Sequence, residues 1–287
     1  MKSACYYVAY QWKNIAFGIV FLSLCAGTFA HPPESDSIRI VKVSYKRRAL
    51  LLGAGIYQMR NTYVNPLTGW GIPVGLYMPF ERYRRRGMYS SEISFNAGVP
   101  LSGINPSMFI EGGYSHYFHF RLFTSSGNRF FVYAGGGMAG RIGMDYNISA
   151  IGNNAFSMNA KFDLRPSAVL KYRFTLFRKK RAFEITQQVS LPVAGAAVLP
   201  KYGYMRYQSF SDEGEWEDMK FGTLFTSLHN AWGLSARTCI DWRWRRREHE
   251  KASYLRIGYA FEASRINYET RHQRAIHQLM VGMVRKF

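Results

Sequence analysis

Apolar and polar residues alternate along much of this chain, and they do so over unusually long spans. From Phe162 the even positions read Phe162, Leu164, Pro166, Ala168, Leu170, Tyr172, Phe174 and Leu176, while the odd positions read Lys161, Asp163, Arg165, Ser167, Val169, Lys171, Arg173 and Thr175. The next segment sets Phe183, Ile185, Val189 and Leu191 against Glu184, Thr186, Gln188 and Ser190. Leu255, Ile257, Tyr259 and Phe261 likewise oppose Tyr254, Arg256, Gly258 and Glu262, and Ile93, Phe95, Ala97 and Val99 oppose Glu92, Ser94, Asn96 and Gly98. A period of two means β-strand, with one apolar face and one charged face.

Strands of a dozen alternating residues are long for a soluble sandwich. They suit a membrane barrel, whose apolar face meets lipid and whose polar face meets the lumen. Aromatics flank the apolar stretches as interface belts would: Phe80, Phe118, Phe120, Tyr172, Phe174, Phe183, Trp242, Trp244 and Tyr254 near one end, and Tyr57, Trp70, Tyr146, Tyr204 and Phe225 near the other. The pattern predicts ten strands, at about 47–59, 69–81, 88–99, 107–121, 129–145, 158–176, 182–196, 223–244, 252–266 and 273–287. Connections alternate between short, mostly basic turns and more variable loops, the stretch 199–222 being the longest. The expected fold is therefore all-β: a transmembrane antiparallel β-barrel of about ten strands with both termini periplasmic. Pro73, Pro79, Pro166 and Pro192 fall inside these strands, where each removes a ladder hydrogen bond. Pro79 and Pro192 are expected at strand ends or bulges, segment 38–45 could add a short strand, and counts of eight or twelve remain open.

The first thirty residues read as an export signal. Lys2 and Lys13 form a basic leader, 15–26 is an apolar core, and Thr28-Phe29-Ala30 offers a cleavage site. The domains expected are a signal peptide over 1–30, a periplasmic segment over 31–46 and the barrel over 47–287. Cleavage would leave Cys239 as the one cysteine, so no disulfide framework is expected. No later run of 18 apolar residues exists to make a spanning helix. An apolar fraction of 47% with only 20% charged residues excludes a disordered chain, and the formal charge of +20 asks for an anionic neighbour.

The C-terminus carries a resemblance. Leu279, Val281, Met283 and Phe287 step back in twos from a terminal aromatic, with Arg285 the exception. This resembles the C-terminal assembly signal of bacterial outer-membrane β-barrel proteins, which implies outer-membrane lipid as surroundings and the barrel-assembly machinery as a partner. A fainter likeness, over Glu111-Gly112-Gly113-Tyr114-Ser115 and Tyr133-Ala134-Gly135-Gly136-Gly137, is to the outer-membrane proteins of conjugative transposons in Bacteroides-type bacteria.

Candidate chemistry is sparse, and no cofactor or metal is expected. Gly135, Gly137 and Gly140 satisfy G-x-G-x-x-G but sit within a strand, whereas a dinucleotide site needs a strand-to-helix turn. The charged faces place Asp163, Arg165, Lys171, Arg173, Glu184, Arg237, Asp241, Arg256 and Glu262 in the lumen, where buried charges must pair. The alternative is a charged constriction of a narrow solute channel. Omptin-type outer-membrane proteases use carboxylates with a His–Asp pair at the rim. Here Asp145, Asp212, Glu213, Glu217, Asp218, Glu269 and His272 fall in the outer region with no His–Asp pair adjacent in sequence, so an enzyme is not expected. Asp212, Glu213, Glu215, Trp216, Glu217 and Asp218 form an acidic outer loop around an aromatic. Arg82, Arg84, Arg85, Arg86, then Arg178, Lys179, Lys180, Arg181, then Arg245, Arg246 and Arg247 form a basic rim. In an exported barrel that rim would meet lipid phosphate, cell wall or an envelope protein partner, and nucleic acid is not expected. The expected role is a non-enzymatic anchor or accessory subunit of an envelope assembly of the secretion or conjugation type, the alternatives being a narrow solute channel and a rim-active outer-membrane hydrolase.

Overall fold

The computed structural model describes residues 45–62, 65–101, 106–148, 156–176, 181–200, 221–245, 252–267 and 271–287. Twelve strands account for nearly all of them: β1 (Tyr45–Asn61), β2 (Asn65–Arg84), β3 (Gly87–Pro100), β4 (Ser107–Thr124), β5 (Phe130–Asn147), β6 (Phe156–Leu176), β7 (Arg181–Ser190), β8 (Ala194–Pro200), β9 (Phe221–Ser227), β10 (Ala231–Arg245), β11 (Ser253–Asn267) and β12 (Arg271–Lys286). All pairings are antiparallel between neighbours, and β1 pairs with β12 from Arg47↔Lys286 to Asn61↔His272. Together with the β5–β6 ladder this closes the sheet on itself into a ring.

The ring has ten staves. β8 continues β7 after Leu191–Val193, and both pair with β6. β9 and β10 together form the eighth stave, split at Leu228–Asn230. Ten strands match the expected count, the two splits falling inside strands that the pattern reads as continuous. Pro192 marks the first split, as expected. Pro79 does not end a strand: β2 runs through it to Arg84, and Pro73, Pro79 and Pro166 all keep their places in the ladders. Missing N–H groups at single positions are tolerated where the neighbours hold the register on both sides.

Burial is inverted relative to a soluble protein. Leu50, Leu52, Val74, Phe95, Ile110, Ile142, Ile257 and Leu279 are exposed on the outside, while Lys171, Asp163, Asp241 and Arg256 are buried within. That arrangement is stable only where lipid covers the outer face. At one end Tyr172, Phe174, Phe183 and Trp242 stack in sequence across three staves, with ring centroids 5.6, 5.5 and 6.3 Å apart. Phe118 packs between Tyr89, tilted against it at 4.6 Å, and Phe120, edge-on at 4.4 Å. Two residues expected in the belts point inward instead. Tyr57 packs edge-on against Phe109 at 5.0 Å and donates to the carbonyl of Ser107 at 2.6 Å, and Tyr254 lies on the lumen side against the Arg47 guanidinium. No described helix is long and apolar enough to cross a membrane.

The connections are tight where described. Arg84↔Gly87 closes a two-residue turn through Arg85 and Arg86, so Arg82 and Arg84 belong to β2 rather than to a loop. At the β4–β5 turn Asn128 takes a positive φ of 51°, a conformation Asn tolerates, and the Ser125 hydroxyl accepts from the Phe130 N–H at 3.1 Å.

Candidate functional site: a lumen crossed by ion pairs

All nine charges predicted for the lumen face it. Alternation alone dictates this, since a one-residue slip would put each of them in lipid. At the end where β1 begins and β12 finishes, Arg47 on β1 reaches Glu184 on β7 at 2.6 Å and Asp241 on β10 at 3.2 Å. Glu184 also receives Lys171 at 3.0 Å and Arg173 at 2.7 Å. Arg256 grips Asp241 through Nε at 2.6 Å and Nη2 at 2.8 Å, and turns Nη1 to Glu81 on β2 at 2.8 Å. Tyr83 donates to Glu81 at 2.6 Å, and the Lys171 ammonium lies 3.7 Å from the Tyr83 ring centroid. Four cations and three carboxylates thus share one cluster, largely buried except for Arg173, in which each carboxylate holds at least one cation, as buried charges require.

Further along, Arg237 on β10 holds Glu92 on β3 with two donors, and Arg141 on β5 holds Glu262 on β11. Tyr77 and Gln278 converge on Asn96, at 2.7 and 3.3 Å. Asp163 stays within its own stave, taking Arg165 at 2.8 Å and Lys161 at 3.2 Å. Around these groups lies a cavity of about 140 Å³, bordered by Glu92, Arg141, Gln188, Arg237, Glu262 and Gln278 among others. At the opposite end Arg274 pairs with Glu111 at 2.6 Å. There Asp145 accepts from Asn61 at 2.8 Å and contacts His272 Nε2 at 3.1 Å.

That last contact was not anticipated from the sequence. Asp145 and His272 are 127 residues apart in sequence, yet the ring brings a His–Asp pair together at the rim. Arg47, Glu81, Arg141, Arg274 and Asn61 were likewise not singled out. Arg141 shares the odd phase of Gly135, Gly137 and Ala139, which was the signal for it. The glycines themselves have a wall-packing role: a Cβ at Gly135 or Gly137 would strike the main-chain carbonyl of Phe118 or His116 on β4.

Of the C-terminal signal, Leu279, Val281, Met283 and Phe287 are all exposed on the outer face. Phe287 exchanges two backbone hydrogen bonds with Lys46, at 2.8 and 3.1 Å, and its ring lies beneath Arg48. Antiparallel alternation puts the β2–β3 turn, the start of β7 at Arg181 and the end of β10 at Arg245 at the same end as β1's start. Arg178, Lys179, Lys180, Arg246 and Arg247 lie outside the described residues, as do the acidic loop Asp212–Asp218 and the segment 1–44.

The fold and its inverted burial are those of an outer-membrane β-barrel. The match to a protein family extends over residues 17–287. The chain belongs to the DUF3316 family, described as a protein of unknown function. No curated protein matches this DUF3316 member. Among solved structures it is similar to the outer membrane protease OmpT of Escherichia coli, with 5% identity and a TM-score of 0.41 over 88% of this chain and 99% of that one. It is also similar to the translocator domain of the autotransporter NalP of Neisseria meningitidis, with 7% identity and a TM-score of 0.35 over 96% of each chain.

Proposed function

We propose that this DUF3316 protein is an integral outer-membrane barrel with a plugged lumen, serving as a non-enzymatic anchor or accessory subunit of an envelope assembly. Secretion and conjugation machines are the candidate assemblies. One observation carries the reading: ion pairs join opposite walls at successive heights, Arg47–Glu184, Arg237–Glu92, Arg141–Glu262 and Arg274–Glu111. A pore conducts when its lining charges face water, whereas here they neutralise one another across the path. What remains for interaction is the outside: the basic turns at one end and the loops at the other. Purification of the native protein from outer membranes, with its partners identified, tests the role directly. Recovery of the barrel free of any partner at native abundance would count against it.

A second reading, a rim-active hydrolase, is favoured by the His272–Asp145 contact, because a buried carboxylate that orients an imidazole can make it a general base. A hydrolytic activity lost in His272→Ala and Asp145→Asn alike would establish it. Loss of neither would leave the pair as a strut that ties β12 to β5.

A further inference from the structure

Charges pair off along the lumen, yet the mouth where β1 begins is left cationic. Five strands end there: β2, β4, β6, β10 and β12. Four of them set a cation on the lumen face at or near their last inward position, and the registers fix the side. Arg121 on β4 lies opposite Tyr133, Arg173 on β6 opposite Glu184, Arg243 on β10 opposite Tyr254, and Lys286 on β12 opposite Arg47. Each of those partners points into the lumen. Residues directly opposite each other share a face of the sheet, so the four cations face the lumen too.

The carboxylates nearby are already taken. Glu184 receives Arg47, Lys171 and Arg173, Asp241 receives Arg47 and Arg256, and Glu81 receives Arg256 and the Tyr83 hydroxyl. With Arg121, Arg243 and Lys286 added to the four cations of that cluster, seven cations face three carboxylates. Among the described residues, Arg121, Arg243 and Lys286 form no ion pair, and the Nε of Arg243 is buried without a hydrogen-bond partner. Arg47, Arg173 and Arg243 all lie within electrostatic reach of the Lys286 ammonium. Like charges so gathered repel one another, and an anion among them removes that cost. Aromatic neighbours hold two of them in place. Arg173 donates to the Tyr45 hydroxyl at 2.9 Å and lies 4.8 Å from the Phe131 ring centroid, and Lys286 Nζ lies 4.5 Å from the Tyr45 ring centroid.

We propose that this mouth binds the phosphate group of an anionic ligand, held by Arg173, Arg243 and Lys286 with Arg121 at the outer edge. Three cations from three staves can each take one free oxygen of a phosphate ester, whereas a carboxylate offers only two. Guanidinium forks match phosphate oxygens in pairs, and an ammonium adds a point charge. A phosphate dianion also offsets more of the surplus than a carboxylate does. Position bears on the source. These cations lie on the inner side of the wall, whereas a surrounding phospholipid would meet Arg48, which stands over the exposed ring of Phe287 on the outer face. A soluble phosphate ester entering from the aqueous side therefore fits the mouth better than a lipid head group does.

The test is calorimetric titration of the full chain in uncharged dodecyl maltoside micelles, with inorganic phosphate and, separately, acetate. Saturable phosphate binding is expected, about tenfold tighter than that of acetate. Arg243→Gln combined with Lys286→Gln should weaken it about tenfold, the order expected for two lost charge-assisted contacts, while the barrel stays heat-modifiable. Should that variant not assemble, Arg121→Gln changes an exposed side chain and should weaken binding about threefold. Arg85→Gln combined with Arg86→Gln should leave the affinity unchanged, which separates the mouth from the turn. In nanodiscs, phosphatidic acid added to phosphatidylcholine should leave phosphate binding unchanged if the ligand is soluble. Competition by phosphatidic acid would assign the same phosphate site to a lipid head group. No saturable binding, equal affinity for phosphate and acetate, full affinity in an assembled mouth variant, or a loss confined to the turn variant would overturn the site.

Discussion

Arg237 on β10 grips the carboxylate of Glu92 on β3 with both guanidinium ends, across the full diameter of the ring. Four staves lie between these two in either direction, so no other pair of walls is further apart. Truncating one partner leaves the other charged in a poorly solvated lumen, a loss of about 3 kcal/mol. Arg237→Ala is therefore expected to lower the unfolding midpoint of the micelle-embedded barrel. Glu92→Ala added to it should recover part of the loss. Strictly additive single and double variants would show that the pair is not coupled.

The same struts make the barrel electrically silent. Purified protein in planar bilayers is expected to give no steady conductance above background, and the double variant Arg47→Ala, Lys171→Ala should open one by dismantling the cluster around Glu184. Steady ion-selective openings of the unmodified protein, abolished by Arg173→Ala or Arg237→Ala, would convert the plugged anchor into a channel.

Faces were legible in the chain because a two-residue period assigns every side chain once a single position is known, and each of the nine nominated lumen charges follows that rule. Tyr57 and Tyr254 were misassigned to the belts because an aromatic says little by itself about which face it takes. Tyr57 satisfies its hydroxyl on the Ser107 carbonyl inside the lumen, as a buried phenol must. Contacts across the ring were not legible at all. Asp145 meets His272 only because β1–β12 pairing closes the sheet, and closure is a property of the whole set of registers. The split at Leu228–Asn230 was hidden for a related reason: Phe225, Leu228 and Trp232 are all apolar, so the pattern reads straight through a change in pairing.

Phe287 lies within the seam. Its N–H and carbonyl bond to Lys46, its ring lies under Arg48, and β12 behind it is what closes the barrel onto β1. Deleting Phe287 should sharply reduce the heat-modifiable, membrane-embedded form, whereas Phe287→Tyr should preserve it. Normal insertion of the truncated chain would remove the final strand from the list of assembly determinants.

The basic turns give the last prediction, which joins topology to retention. Arg85 and Arg86 sit exposed in the two-residue turn after β2, at the same end as Arg181 and Arg245. The alternation of staves puts Pro200 at the end of β8 and Phe221 at the start of β9, the described residues that flank Gly214 in sequence, at the opposite end. If that opposite end faces the cell exterior, a cysteine at Gly214 should react with an impermeant reagent on intact cells in a Cys239→Ser background, and one at Arg85 should not. Clustered cations gain only from anions within about a Debye length, ~8 Å at physiological salt. Replacing the arginines and lysines of all three turns by Gln should therefore weaken retention by the cell wall or a periplasmic partner, most at low salt and least at high salt, without loss of the heat-modifiable barrel. Labelling at Arg85 on intact cells would reverse the orientation. Retention that salt leaves unchanged would instead assign the rim's role to packing, since only a charge interaction is screened.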